Sequence, residues 1–211
     1  MTAIGHHTPD AMLAAYAAGS LPHPFAVVIA THVSMCEDCR AALEAHQAAG
    51  GVVLDETAGE ALSERLRDRV LGHLDDAVED TPVHARTGIY PAPVVAAMSG
   101  RAPRWKALGM GVKQDILSAD GEGSLRLLYI PSGQAVPDHG HRGTELTLVL
   151  QGSFSDVTGR FGVGDVEVAD EDLEHTPTAD EGLPCICLAA TDAPLRFSAL
   201  LPRLLQPIFR I

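Results

Sequence analysis

The sequence predicts an α+β, multidomain chain: a small helical bundle followed by an antiparallel β-sandwich or barrel. Three observations carry that expectation. Apolar residues recur at helical spacing through roughly the first 80 residues. A stretch holding Pro82, Pro91, Pro93 and Pro103, with few periodic apolar residues, comes next and reads as a linker. Short runs rich in Leu, Ile and Val then follow, punctuated by Gly and acidic turns. The expected boundaries are a helical domain over 1–85, a linker over 86–104, a β-barrel over 105–195, and a tail over 196–211 that packs on the barrel.

Thr8-Pro9-Asp10 is a helix start: Thr8 can cap, Pro9 suits the first turn, and Asp10 complements the positive end of the dipole. That helix runs through Met12, Leu13 and Tyr16 to a stop at Gly19. A second helix follows Pro24 and carries Phe25, Val28 and Ile29 towards His32. A third is expected from about Cys36 to Gly50, with Cys39, Leu43 and His46 on one face. The fourth has Thr57 and Glu60 as a capping box, then Leu62, Leu66, Val70, Leu74 and Val78 at helical spacing. So thin a helical core calls for a metal, a partner or both. Strands are expected over Gly123–Ile130, Glu145–Leu150, the segment starting at Gly152, and Leu183–Ala189.

Charge narrows the function classes. Lys and Arg number 15 against 28 Asp and Glu, a formal net charge of −13, which argues against direct nucleic-acid binding. An acidic chain can still occupy the basic surface of a nucleic-acid-binding partner. No Lys or Arg precedes Arg40, and no apolar run is long enough to span a bilayer, so neither an export signal nor a membrane segment is expected. Four cysteines in two close pairs point to metal or redox chemistry in the cytoplasm rather than to a disulfide framework.

Two constellations carry chemistry. In His32-x3-Cys36-x2-Cys39, His32 and Cys36 lie one helical turn apart, and Cys39 returns a second sulfur from the start of the next helix. Thiolate and imidazole are preferred zinc ligands, and a closed structural site wants four. His6 is the expected fourth ligand, and its neighbour His7 could replace it. A redox pair is the competing reading for Cys36 and Cys39, but no βαβ context surrounds them.

The second constellation is Gly133-x5-His139-x-His141-x3-Glu145-x6-Gly152. His139 and His141, two apart on a strand, project to one face, and Glu145 can project inward as well. His175, on a later strand, is the expected fourth ligand. Such a set suits Zn, Fe, Mn or Ni, and ligand type alone does not choose; zinc is the expected ion here too.

His-x3-Cys-x2-Cys on consecutive short helices with an upstream His resembles the zinc-binding anti-sigma factors, over roughly residues 1–85. The second pattern resembles the first motif of the cupins at every fixed position, over about residues 105–195. The second cupin motif is poorly kept: Gly162-Val-Gly164-Asp165 serves as its turn, but the usual Pro-x-Gly and following Asn are absent. The two halves in this order resemble the ChrR-type anti-sigma factors. The resemblance implies a non-enzymatic cytoplasmic inhibitor of a group IV (ECF, extracytoplasmic-function) sigma factor. It also implies release on oxidative stress such as singlet oxygen, with the cupin needed for release rather than inhibition.

The rival reading is a cupin metalloenzyme of dioxygenase or isomerase type with an accessory zinc domain; few groups beyond the ligands are placed for catalysis. Cys185 and Cys187 face one side of a strand and could meet an oxidant, although buried strand cysteines are common. His23, His46, His73 and His84 lack convergent partners in the sequence.

Overall fold

In the computed structural model, residues 3–74, 76 and 82–197 are described. Helix α1 spans Asp10–Ala17, α2 His23–Val33, α3 Glu37–Glu56, α4 Glu64–Gly72 and α5 Ala92–Ala97. Pro9, not Thr8, occupies the cap of α1, and its carbonyl accepts from Met12 and Leu13. That leaves the buried Thr8 hydroxyl to turn inward and donate to Cys39 Sγ at 3.6 Å. Gly19, at φ +67°, ends this segment as expected, because the left-handed conformation is cheap only for glycine.

The later helices depart from expectation. Helix α3 does not stop at Gly50 but continues through Gly51 to Glu56. Each interior glycine costs about 1 kcal/mol relative to alanine, which six further residues of regular hydrogen bonding offset. Thr57 closes this helix instead of opening the next: its hydroxyl donates to Val53 O at 2.7 Å and its N–H to Leu54 O. Ser63 then caps α4 by accepting from Leu66 N. Helix α4 buries none of its residues, so its apolar stripe is not packed on its own domain among the described residues. Val78, expected at the end of that stripe, and residues 198–211 of the expected tail lie outside the described residues.

Twelve strands follow among the described residues: β1 Lys106–Gly109, β2 Val112–Asp120, β3 Gly123–Ile130, β4 His139–Gly140, β5 Glu145–Gln151, β6 Ser153–Ser155, β7 Arg160–Gly162, β8 Val166–Ala169, β9 Glu174–His175, β10 Thr178–Ala179, β11 Cys185–Thr191 and β12 Arg196–Phe197. All pairings are antiparallel. The main sheet has the order β1-β2-β3-β11-β5-β8, and the three-stranded sheets β10-β6-β7 and β12-β4-β9 complete the β domain.

Period-two alternation divides the strand residues between two cores. Leu125, Leu127, Leu146, Leu148, Leu150, Ile186, Leu188 and Ala190 share a core with Leu13, Phe25, Val28 and Ile29 of α1 and α2. The alternate residues Val149, Cys185 and Cys187 pack with Phe154 and Phe161 in the other core. A strand buried on both faces reads as a nearly continuous apolar run, which is the character of Leu146–Leu150.

The expected linker is structured. Val94, Val95 and Met98, in and just after α5, are buried in the core shared with the helices. Arg101 grips the buried Asp115 of β2 with two hydrogen bonds, at 2.6 and 3.2 Å, and Arg104 N adds a third at 2.8 Å. Trp105 packs edge-on against Tyr129, at 6.0 Å between ring centres.

Candidate metal centres

His32 occupies the last turn of α2, and Cys36 is the N-cap of α3, where its sulfur accepts from Cys39 N at 3.5 Å. The side chains of His32, Cys36 and Cys39 are therefore brought together by a single helix–helix junction. The fourth donor is His7. Its Nδ1 lies 3.3 Å from Cys36 Sγ and 3.5 Å from Cys39 Sγ, and the donor atoms of His7, His32, Cys36 and Cys39 all lie within 4.8 Å of one another.

His6 is not brought to this cluster. Its ring lies on Phe161 at 4.3 Å, its N–H donates to Asp165 Oδ1, and its carbonyl accepts from Val166 N. With the backbone of residue 6 held against the barrel, successive side chains point to opposite sides. His6 faces the barrel and His7 the sulfurs.

The chemistry of this donor set fits a metal. His32 is fully buried, and its Nδ1 donates to Gly164 O at 2.8 Å, which fixes the tautomer and leaves a lone pair on Nε2. That Nε2 is buried with no hydrogen-bond partner. A buried lone pair without a donor is costly unless something accepts it. Burial holds the His32 pKa below its ordinary value, the Gly164 carbonyl partly opposing, so the ring is kept neutral. Burial pushes the Cys36 thiol up, a cost that a cation between the sulfurs would reverse.

The second centre lies in the β domain. His139 and His175 pair directly across β4 and β9, and His141 follows β4. The donor atoms of His139, His141 and His175, all buried, lie within 4.8 Å of one another. His139 Nδ1 donates to Pro137 O at 2.9 Å, which turns Nε2 towards the other rings. His141 Nε2 and His175 Nε2 are 3.2 Å apart. Burial lowers the pKa of His139 and of His141, with the Glu145 charge opposing, so both favour the neutral form that binds metals. Glu145 is beside this trio rather than within it: Oε2 is 3.7 Å from His141 Nδ1, and Oε1 accepts from Thr147 at 3.0 Å.

Two residues of this centre were not foreseen. His175 Nδ1 donates to Asp156 Oδ2 at 2.6 Å and lies 3.5 Å from Glu167 Oε1, and both carboxylates are buried. Burial would raise the Asp156 carboxyl, but hydrogen bonds with Glu167, Thr158 and His175 outweigh it and hold the group below the carboxylate range. Glu167 is pushed up to about 7, chiefly by burial. Burial also opposes charge on His175, yet these two carboxylates outweigh it and raise its pKa. The available signals were an Asp156-x-Thr158-Gly159 turn and a lone acid within the apolar run Val166-Glu-Val-Ala169.

Cys185 and Cys187 are buried with their sulfurs 3.4 Å apart. Its hydrogen bond with Cys185, then burial, raises the Cys187 pKa well above its ordinary value. The reactive thiolate is thereby disfavoured.

The chain thus joins a helical segment with a His2Cys2 cluster to an antiparallel β domain with a buried histidine trio. Residues 95–193 match the ChrR cupin-like domain family. The chain is 55% identical over 211 residues to the anti-sigma-E factor ChrR of Cereibacter sphaeroides, covering 99% of each chain. It also resembles the crystal structure of Rhodobacter sphaeroides SigE in complex with the anti-sigma ChrR, with a TM-score of 0.80 and 54% identity over 90% of this chain and 99% of that one. The chain belongs to the ChrR family of anti-sigma factors, which are regulators rather than enzymes. Among the described residues no helix is long and apolar enough to cross a membrane.

Proposed function

We propose that this chain binds a group IV sigma factor through its helical half and keeps it from core RNA polymerase, acting in the cytoplasm. One observation carries the reading beyond the family relationship. The second half of α3 and all of α4 stand clear of the rest of the molecule, with Val52, Val53, Leu54, Leu62, Val70, Leu71 and Leu74 between 46% and 73% exposed. Seven large apolar side chains left in water on these two helices and on the residues flanking α4 mark an interaction surface. The chain's net charge of −13 complements the basic surface a sigma factor presents to DNA.

Zinc at His7, His32, Cys36 and Cys39 and a divalent ion at His139, His141 and His175, with Glu145 closing the set, complete this reading. The first ion would tie the N-terminal segment to the α2–α3 junction as a closed four-coordinate cross-link. The barrel centre serves release of sigma in response to an oxidant such as singlet oxygen, because regulated release needs a second site whose state alters the first site's affinity. Co-purification of the full chain with its group IV sigma factor tests the surface. Leu54→Asp and Leu71→Asp should each weaken capture by at least about tenfold, the scale of a central interface residue. Wild-type capture by both variants would remove the exposed helices from the interface.

A further inference from the structure

Besides the shared core, the two halves of the chain meet at the turn between β7 and β8, which contacts His32 and the segment leading into His7. Gly164 supplies the carbonyl that accepts from His32 Nδ1 at 2.8 Å. Its φ is +94°, and a Cβ at that position would come within 2.6–2.7 Å of the Ile4 side chain, so only glycine allows this approach. Asp165 comes next and is buried. Its Oδ2 accepts from Gly162 N at 2.7 Å, which is an ordinary turn cap within the barrel. Its Oδ1 faces the other way and accepts from Gly5 N at 2.7 Å and His6 N at 2.9 Å. Val166 N then donates to His6 O at 3.1 Å, completing a clamp on the residue before His7.

We infer that Asp165 is a positioning residue of the His2Cys2 centre, supplied by the barrel: its carboxylate fixes the backbone from which His7 reaches the sulfurs, while the adjacent Gly164 carbonyl orients His32. The inference rests on the reading of His7, His32, Cys36 and Cys39 as zinc ligands. A turn cap alone needs only Oδ2. The second oxygen, with two N–H donors from a segment about 160 residues away, is what a cap leaves unexplained. Partners that orient metal ligands typically contribute 10- to 100-fold in affinity. Two residues further on, Glu167 contacts His175. One stretch of four residues therefore touches a ligand of each centre.

The test uses the full-length protein. Metal content is measured first in the wild type and in Cys36→Ser, which should lose one ion per chain. If it does not, the ligand reading fails and the inference goes with it. Zinc affinity of the thiolate site is then measured by chelator competition, and the visible spectrum of the Co²⁺-substituted site reports ligand geometry. Asp165→Ala should weaken zinc about tenfold and change the Co²⁺ spectrum, with the barrel ion retained. Gly5→Pro removes one donor from the other side of the clamp and sets a ring carbon against Asp165 Oδ1, and should give a loss of the same kind. Should Asp165→Ala disturb the barrel itself, Gly5→Pro decides. Wild-type affinity and an unchanged Co²⁺ spectrum in Gly5→Pro, or in a folded Asp165→Ala, overturn the inference.

Discussion

The two centres are assembled in opposite ways. Three donors of the first come from eight consecutive residues at one helix junction, with only His7 arriving from elsewhere. The second gathers His139, His141 and His175 from chain segments more than 30 residues apart and surrounds them with carboxylates. A junction with two soft sulfurs favours a closed site that acts as a cross-link. A nitrogen trio with acids around it leaves room for an open position and depends on the barrel's closure. The difference teaches that the first cluster depends mainly on one local junction, whereas the second depends on long-range strand pairing.

The largest effect expected to break this contrast is loss of a sulfur. Cys36→Ser or Cys39→Ser should lose zinc and sigma capture together, with binding weakened by about 100-fold or more, because metal binding here is folding energy. Metal analysis and co-purification on the same sample check it, and a metal-free variant that still holds sigma would end the cross-link idea. His7→Ala should follow the cysteine variants, whereas His6→Ala, whose ring only covers Phe161, should keep its metal.

The barrel centre is sharpened by His141→Ala. Basal inhibition should stay intact while induction by oxidant is lost, read with a sigma-dependent reporter. Normal induction without the barrel ion would make that centre purely structural. A smaller change is expected for Asp156→Asn, which weakens the acceptor that orients His175. Barrel metal affinity should fall by about tenfold, with the thiolate site untouched.

The smallest effect serves as a control away from both centres. Burial would raise the Asp180 carboxyl, but hydrogen bonds from Ser153, Ser155 and Arg160 outweigh it and hold the group below its ordinary value of 3.8. A carboxylate depressed on folding stabilises the fold above that ordinary value, and the contribution disappears as pH falls through the depressed one. Asp180→Asn should therefore cost about 1 kcal/mol near neutral pH, and thermal melts of variant and wild type should converge as pH falls through the depressed value. A gap that persists in acid would mean that the ionised form is not what these groups stabilise.

Local patterns were legible in the sequence and long-range choices were not. His32, Cys36 and Cys39 could be read because helical spacing alone brings them together. The choice of His7 over His6 depends on which side of the chain Asp165 grips, some 160 residues away. The strands at Gly123–Ile130, Glu145–Gln151 and Cys185–Thr191 announce themselves as apolar runs. Strand β2, with Lys113, Gln114 and Asp115, does not, because its polar residues are satisfied by partners such as Arg101 and Arg126. Helix α5 is only six residues long and sits among prolines, which masks it as linker. Asp156 and Glu167 look like ordinary turn and strand acids until the fold brings them to His175.

Strand order carries one further consequence, for synthesis. The middle of the main sheet, between β3 and β5, is filled by β11, the last long strand among the described residues. Helices α1 to α3 leave the ribosome first, and about 135 residues separate the end of α3 from the end of β11. At 5–20 residues per second, that gap lasts roughly 7 to 27 seconds. Throughout it, the apolar faces of α2, β3 and β5 have no completed sheet to join. A chain stopped short of Cys185 thus lacks the centre of the sheet, not its edge.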